Sequence, residues 1–126
     1  KVYGLNTLDK DKKVYVVEGP LDSLFLHNSL AMMDASLYNV VSSVGNLNYT
    51  FIYDNEPRNK DVVKHMQKTI DLGKDICIWP DLVKNCKDIN EMVLKGFSPS
   101  LIQSIIDTNT HSGLRAKLEF TKWSKT

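Results

Sequence analysis

The chain has 126 residues, of which 42% are hydrophobic and 25% are charged, and its formal net charge is +1. This composition predicts one compact domain with an ordinary core, and the chain is too short for a complete polymerase or motor. The small net charge argues against a strong overall positive field for nucleic acid, and no apolar run approaches the roughly 18 residues of a membrane span. The two cysteines lack the spacing of a zinc site, so we expect free thiols. Because its apolar runs are short, we expect no membrane partner.

In the first half of the chain, apolar runs alternate with turn residues. A β-branched run over 13–17 predicts a buried strand that ends directly before Glu18. Pro20 favours the first position of a helix, and apolar residues at helical spacing predict that this helix covers 20–33. A second strand is predicted over 38–44.

The second half continues the same alternation. In order, we predict a strand over 49–53, a helix that Pro57 opens and Gly73 caps, a strand over 74–79, a helix over 88–94 and a helix over 101–106. The pattern over 108–126 is ambiguous, and its Trp123 either anchors the segment to the core or contacts a neighbouring domain. Strands that alternate with helices predict an α/β fold with a mostly parallel, four-stranded, Rossmann-like sheet and helices on both faces.

Acidic residues follow three of the predicted strands. Glu18 and Asp22 follow the first strand, Asp54 follows the third, and Asp88 follows the fourth. Because ligands of such sheets bind beyond the carboxyl ends of the strands, we expect these carboxylates at one edge. Two carboxylates about 4 Å apart repel by about 4 kcal/mol at an effective dielectric constant near 20, so the cluster favours a bound cation. Oxygen ligands alone favour Mg²⁺ or Mn²⁺.

Each acid also has a purely structural explanation. Asp22 occupies the third position of its predicted helix, where it interacts favourably with the helix dipole. Asp88, with Glu91 three residues later, fits a helix cap. Three basic residues follow the Asp54 segment: Arg58, Lys60 and Lys64. They fit either a solvated helix face or a surface that faces phosphate.

Taken together, the acidic segments resemble the Toprim domain that topoisomerases, primases and some nucleases share. The resemblance rests on Glu18-Gly19-x-x-Asp22 and on Asp54-x-Glu56, each after an apolar strand. The third segment, Lys87-Asp88-x-Asn90-Glu91, resembles the corresponding segment of bacterial and phage replicative DNA primases. The resemblance covers roughly residues 14–96, which is most of the chain.

The resemblance implies a role for each residue of these segments. Glu18 would be the general acid or base, or a carboxylate close to the metal ion. Asp54 would be the principal metal ligand, and Asp88 would complete the metal site. Asp22 would support Glu18 and its turn as part of the catalytic set, and Asn90 would fix the third loop by hydrogen bonding.

Two further groups of residues follow from the same resemblance. Primases usually have Asp at the position of Glu56, so Glu56 is a candidate metal ligand of different length, ranked below Asp54. Gly19 would support the turn of the first segment. The basic residues after Asp54 would bind the nucleotide triphosphate or DNA.

The resemblance implies metal-dependent synthesis of RNA primers on single-stranded DNA, by nucleotidyl transfer with Mg²⁺ or Mn²⁺. It divides the chain into the end of an upstream segment (1–12), a Toprim catalytic domain (13–107) and a C-terminal extension (108–126). The expected partners are single-stranded DNA, nucleoside triphosphates, a replicative helicase and upstream primase domains, in the cytoplasm of a bacterium or phage-infected host. By itself the chain would be weakly active or inactive.

Two alternatives stay open at this stage. The first is a Toprim-type nuclease, which would cleave phosphodiester bonds without nucleotides. The second is a non-catalytic Toprim-like module that binds nucleic acid or protein.

Overall fold

A six-stranded mixed sheet forms the centre of the protein. The computed structural model describes residues 2–32 and 36–126. In chain order the strands are β1 (Val2–Tyr3), β2 (Val14–Val17), β3 (Ser29–Met32), β4 (Tyr49–Phe51), β5 (Asp75–Cys77) and β6 (Thr110–His111). Their order across the sheet is β1-β3-β2-β4-β5-β6. The four central strands are parallel, and β1 and β6 pair antiparallel at the two edges.

In the described residues, six α-helices accompany this sheet. They are α1 (Pro20–Ser23), α2 (Leu37–Val44), α3 (Lys60–Asp71), α4 (Ile89–Leu94), α5 (Pro99–Thr108) and α6 (Gly113–Trp123). Buried residues of α2, α3 and α6 share one core cluster with β2 and β4, whereas α4 and α5 contribute to a second cluster. Because the side chains of a strand point alternately to its two faces, two clusters on one sheet place helices on both faces, as the sequence predicted. None of the described helices is long and apolar enough to span a membrane.

Local signals explain where several helices begin and end. Asn59 caps α3, since its side chain accepts hydrogen bonds from two backbone N–H groups of the first turn. Gly73 follows that helix with φ of +74°, a conformation that side chains disfavour. Asp88 caps α4 and Ser98 caps α5, each by accepting a hydrogen bond from a backbone N–H three residues later. The helices predicted over 88–94 and 101–106 are therefore confirmed, and so is a helix that ends before Gly73. The prediction that Pro57 opens this helix was wrong, because α3 begins at Lys60 after the Asn59 cap.

The predicted helix over 20–33 begins at Pro20 as expected, but its extension beyond Ser23 was wrong. Its last residue, 33, lies outside the described residues. Helix α1 ends at Ser23, and Ser29–Met32 is a fully buried strand between β1 and β2. Leu21 and Leu24, which suggested an apolar helix face, are exposed. Tertiary burial on both faces of a sheet favours the strand at Ser29–Met32, and it outweighs the local helical spacing.

The prediction of a strand over 38–44 was also wrong. This segment is the helix α2, and the side chain of Ser36 caps it by accepting from the backbone N–H of Asn39 at 3.2 Å. β-Branched residues suggested the strand, but Val40 packs against the sheet from outside it. The predicted α/β class is therefore correct. The prediction of a mostly parallel, four-stranded sheet was wrong, because the sheet has six strands and its two edge strands are antiparallel.

Residues 108–126 contribute the edge strand β6 and the helix α6. β6 extends the sheet beyond β5, and α6 contacts α3. Ala116 and Phe120 of α6 are buried in the first core cluster, and Trp123 packs against both clusters. Of the two alternatives for Trp123, anchoring to the core is therefore confirmed. Cys77 and Cys86 are buried free thiols, as predicted.

Candidate metal centre

Three aspartates converge beyond the C-terminal ends of the parallel strands. Asp22 lies in α1 after β2, Asp54 follows β4, and Asp88 caps α4 after β5. One carboxylate oxygen from each of the three lies within 4.8 Å of the others. Among the described residues, this is the group of acidic, histidine and cysteine side chains with the geometry of a metal site.

Asp22 is held in place from two sides. It is only 6% exposed, and its Oδ1 accepts a hydrogen bond of 2.8 Å from the backbone N–H of Asn90. A Cβ atom at Gly19 would lie 3.1 Å from Asp22 Oδ2, closer than ordinary van der Waals contact allows. Gly19 therefore leaves room for the carboxylate, and Asn90 fixes its orientation through the main chain.

Asp88 has both a structural and a potential ligand role. Its Oδ1 accepts from the backbone N–H of Glu91 at 2.9 Å, and Glu91 Oε1 accepts from the backbone N–H of Lys87 at 3.0 Å. This reciprocal arrangement resembles a capping box. A carboxylate has two oxygens with about four lone-pair sites, so capping α4 leaves acceptor capacity for a cation.

Asn55 connects the loop of Asp54 with the loop that leads to Asp88. This residue is 8% exposed, and its backbone N–H donates to the carbonyl of Lys87 at 2.6 Å. Its side-chain Nδ2 donates to the carbonyls of Val83 and Cys86 at 2.9 and 3.1 Å. Sequence reasoning missed Asn55; the available signal was an amide between two acids directly after a buried strand.

The electrostatic environment disfavours ionised Asp22 and Asp54. Burial raises the pKa of Asp22 to about 6, and the charges of Asp88 and Asp54 add to the effect, against the hydrogen bond from Asn90. Burial likewise raises the pKa of Asp54 to about 6, helped by the charges of Asp88 and Glu56 and opposed by Lys87. A cation at this position would offset the repulsion among the carboxylates, which adds to the larger effect of burial.

The other predicted acidic residues lie around this cluster. Glu18 is half-buried directly after β2, the strand that neighbours β4, and it is outside the set of three converging carboxylates. Glu56 is half-buried two residues after Asp54, and its charge contributes to the raised pKa of Asp54. Both follow strands at the edge of the three-aspartate cluster without belonging to it, and their predicted roles stay predictions.

The predicted phosphate-binding residues are exposed beside the same edge. Arg58 precedes α3, Lys60 is its first residue, and Lys64 lies one turn later. None of the ion pairs found in the described part of the chain involves them.

The donor set fits a hard divalent cation. Mg²⁺ binds oxygen at about 2.1 Å, so opposite ligands are about 4.2 Å apart. Neighbouring ligands of the same octahedron are about 3 Å apart, so oxygens within 4.8 Å of one another would move closer together to share one ion. Asp22, Asp54 and Asp88 would hold such an ion, with Glu18 and Glu56 as neighbouring carboxylates.

The fold and the cluster together define an α/β domain with a candidate divalent-metal site at the C-terminal edge of its parallel strands. The chain is 36% identical over 126 residues to the DNA primase of Enterobacteria phage T4, and the similarity covers 99% of this chain. It spans 36% of the length of that phage protein. No protein-family model matches the chain. The similarity supports a primase-related domain.

Proposed function

We propose that this chain is the Toprim catalytic domain of a DNA primase, which synthesises RNA primers on single-stranded DNA by metal-dependent nucleotidyl transfer. The observation that carries the proposal is the convergence of Asp22, Asp54 and Asp88 within 4.8 Å. The similarity to a phage DNA primase over almost the whole chain gives this metal site a reaction class. The proposal concerns the domain, because the chain spans 36% of the length of that relative.

In this proposal the acidic edge binds Mg²⁺ or Mn²⁺ through Asp22, Asp54 and Asp88. When bound, the ion would lower the pKa of an attacking hydroxyl and neutralise the negative charge that develops on the phosphate. Glu18, half-buried at the same edge, would accept the proton of the primer 3′-hydroxyl. The 3′-oxygen then bonds to the α-phosphorus of the incoming triphosphate, the bond from this phosphorus to the bridging oxygen of the β-phosphate breaks, and pyrophosphate leaves. Glu56 assists Asp54 as an additional carboxylate.

The remaining residues of the edge bind and orient the substrates. Arg58, Lys60 and Lys64 hold the triphosphate or the DNA backbone by charge attraction, since all three are exposed beside the acidic edge. The partners are single-stranded DNA, nucleoside triphosphates, a replicative helicase and further primase domains. The site of action is the cytoplasm of a bacterium or phage-infected host.

Metal binding by the chain tests the proposal. Calorimetric titration with Mn²⁺, with and without a non-hydrolysable nucleoside triphosphate, is compared for the native chain and for Asp54→Asn. We expect binding to weaken by more than about tenfold in Asp54→Asn, because a ligand is lost. The matched control is Asp61→Asn, which removes an exposed carboxylate of α3 outside the cluster. Absence of Mn²⁺ binding under both conditions would contradict the proposed site.

A cleavage assay separates the primase from the nuclease alternative. Single-stranded DNA is incubated with the chain and Mn²⁺, without nucleotides. A nuclease cuts the strand under these conditions, and Asp54→Asn abolishes the cutting. The primase proposal predicts intact DNA.

A further inference from the structure

The C-terminal end of α6 contacts the segment that directly follows Asp54. The indole Nε1–H of Trp123 donates a hydrogen bond of 2.8 Å to Oδ1 of Asn55. Two residues later, the backbone N–H of Lys125 donates to the carbonyl of Pro57 at 2.8 Å. Residues 68 positions apart in sequence are thereby joined beside the acidic cluster.

The hydrogen bonds of Asn55 extend this contact to the loop before α4. While Oδ1 accepts from Trp123, Nδ2 donates to the carbonyls of Val83 and Cys86, and the backbone N–H donates to Lys87. The side-chain oxygen of Asn55 is therefore bonded to α6, and its side-chain nitrogen is bonded to the loop that ends at Asp88. Rotation of this side chain would break hydrogen bonds to both elements at once.

We propose that Asn55 and Trp123 form a positioning pair that sets the distance between the carboxylates of Asp54 and Asp88. Neither residue contacts substrate in this account: Asn55 holds the two loops together, and Trp123 fixes the orientation of the Asn55 amide. This inference rests on the proposed metal site, and it assigns a function to α6, which lies outside the acidic segments. Partners of metal-site residues commonly change metal affinity when they are replaced.

The repulsion between the carboxylates gives this connection its role. We call the hydrogen bonds of Asn55 to Trp123 and to the loop before Asp88 the brace. Asp54 and Asp88 repel each other, and both lie on loops rather than within strands. Without a connection between the loops, repulsion would move the carboxylates apart before a cation binds. The hydrogen bonds of Asn55 oppose this movement, so the cluster is preorganised.

The test compares two substitutions on the same helix. Trp123→Phe removes the indole N–H and keeps an aromatic ring. Phe120→Leu disturbs the packing of the same helix against the core, including its ring contact with Trp123, but keeps the indole N–H that bonds Asn55. We expect Trp123→Phe to weaken Mn²⁺ binding by about tenfold in titrations followed by electron paramagnetic resonance. In Phe120→Leu, we expect Mn²⁺ affinity to stay within about twofold of the native chain, even where the melting temperature falls further.

Amide hydrogen exchange of the metal-free chain provides a second readout. The backbone N–H of Asn55 should exchange faster in Trp123→Phe than in Phe120→Leu, because its hydrogen bond to Lys87 belongs to the brace. Equal Mn²⁺ affinities and equal exchange rates in the two variants would overturn the positioning role. If the native chain bound no Mn²⁺, the proposed function would fail, and the exchange rates alone would decide whether the brace exists.

Discussion

The carboxylates of the sheet edge and the carboxylate of Glu119 on α6 are in opposite electrostatic environments. Although its slight burial raises the pKa of Glu119, the charge of Lys122 and the hydrogen bond from Arg115 outweigh that effect, and the pKa lies below its usual range. Burial raises the pKa values of Asp22 and Asp54 to about 6. On α6 the neighbouring cations determine the direction of the shift. At the edge Lys87 lowers the pKa of Asp54, but burial and the charges of Asp88 and Glu56 outweigh it.

The largest expected effect is stabilisation by metal. At pH 7.5 and a free Mn²⁺ concentration of 100 times Kd, we expect the free energy of unfolding to rise by about 2.7 kcal/mol, because the ion binds only the folded state. Chemical denaturation with and without Mn²⁺ measures this difference. In the double variant Asp22→Asn/Asp54→Asn the increase should disappear, and an undiminished increase would locate the ion elsewhere.

Protons should compete with the metal at the edge. Asp22 and Asp54 have pKa values of about 6, so both carboxyls are largely ionised at pH 7.5 and largely protonated at pH 5. Metal ligands must be deprotonated, and we therefore expect Mn²⁺ affinity to fall at least about tenfold between these pH values. Calorimetry at both pH values checks this, and a constant affinity would contradict the assigned ligands.

Removal of one charge should stabilise the metal-free protein. The pKa of Asp22 lies above its usual 3.8, so the folded state holds its proton more tightly than the unfolded state. The contribution of this group to stability is therefore lost as pH rises from about 4 to about 6, and stays lost above. After allowance for solvent screening, we expect Asp22→Asn to add about 1 kcal/mol to the free energy of unfolding at pH 7.5. At pH 4 denaturant unfolding should show little gain.

We expect the smallest effect on stability from a substitution of Glu119 on α6. Glu119→Gln removes a carboxylate whose partners, Arg115 and Lys122, are themselves mostly exposed. Exposed ion pairs contribute little, so we expect the melting temperature to change by about 1 °C or less. Mn²⁺ affinity should be unchanged. A loss of affinity in Glu119→Gln would show that the metal senses charge well beyond the edge.

The sequence predicted the second half of the fold better than the first. Asp54 follows the short buried strand β4, and Asp88 follows β5, which lies between Gly73 and Pro80. These local signals agree with the tertiary structure. Over 20–44 local signals and tertiary burial disagree: Ser29–Met32 is a strand because both its faces are covered, and Leu37–Val44 is a helix capped by Ser36. The spacing of apolar residues does not show which segments will be buried on both faces as strands of the sheet.

The candidate site was predictable in its location but not in its internal arrangement. Strand ends placed Asp54 and Asp88 at one edge, because parallel strands share that edge. The inclusion of Asp22 depends on a hydrogen bond from Asn90 and on the space left by Gly19. The brace through Asn55 depends on contacts across 68 positions of sequence. Such contacts have no local sequence signature.

The most direct measurement is the paramagnetic broadening of side-chain carboxyl ¹³C signals when Mn²⁺ is added in substoichiometric amounts. The account predicts that the signals of Asp22, Asp54 and Asp88 broaden first and together, while those of Asp61 and Glu119 stay sharp. Broadening that begins at Asp61 or Glu119, or that spares the three aspartates, would contradict a metal site at the acidic edge.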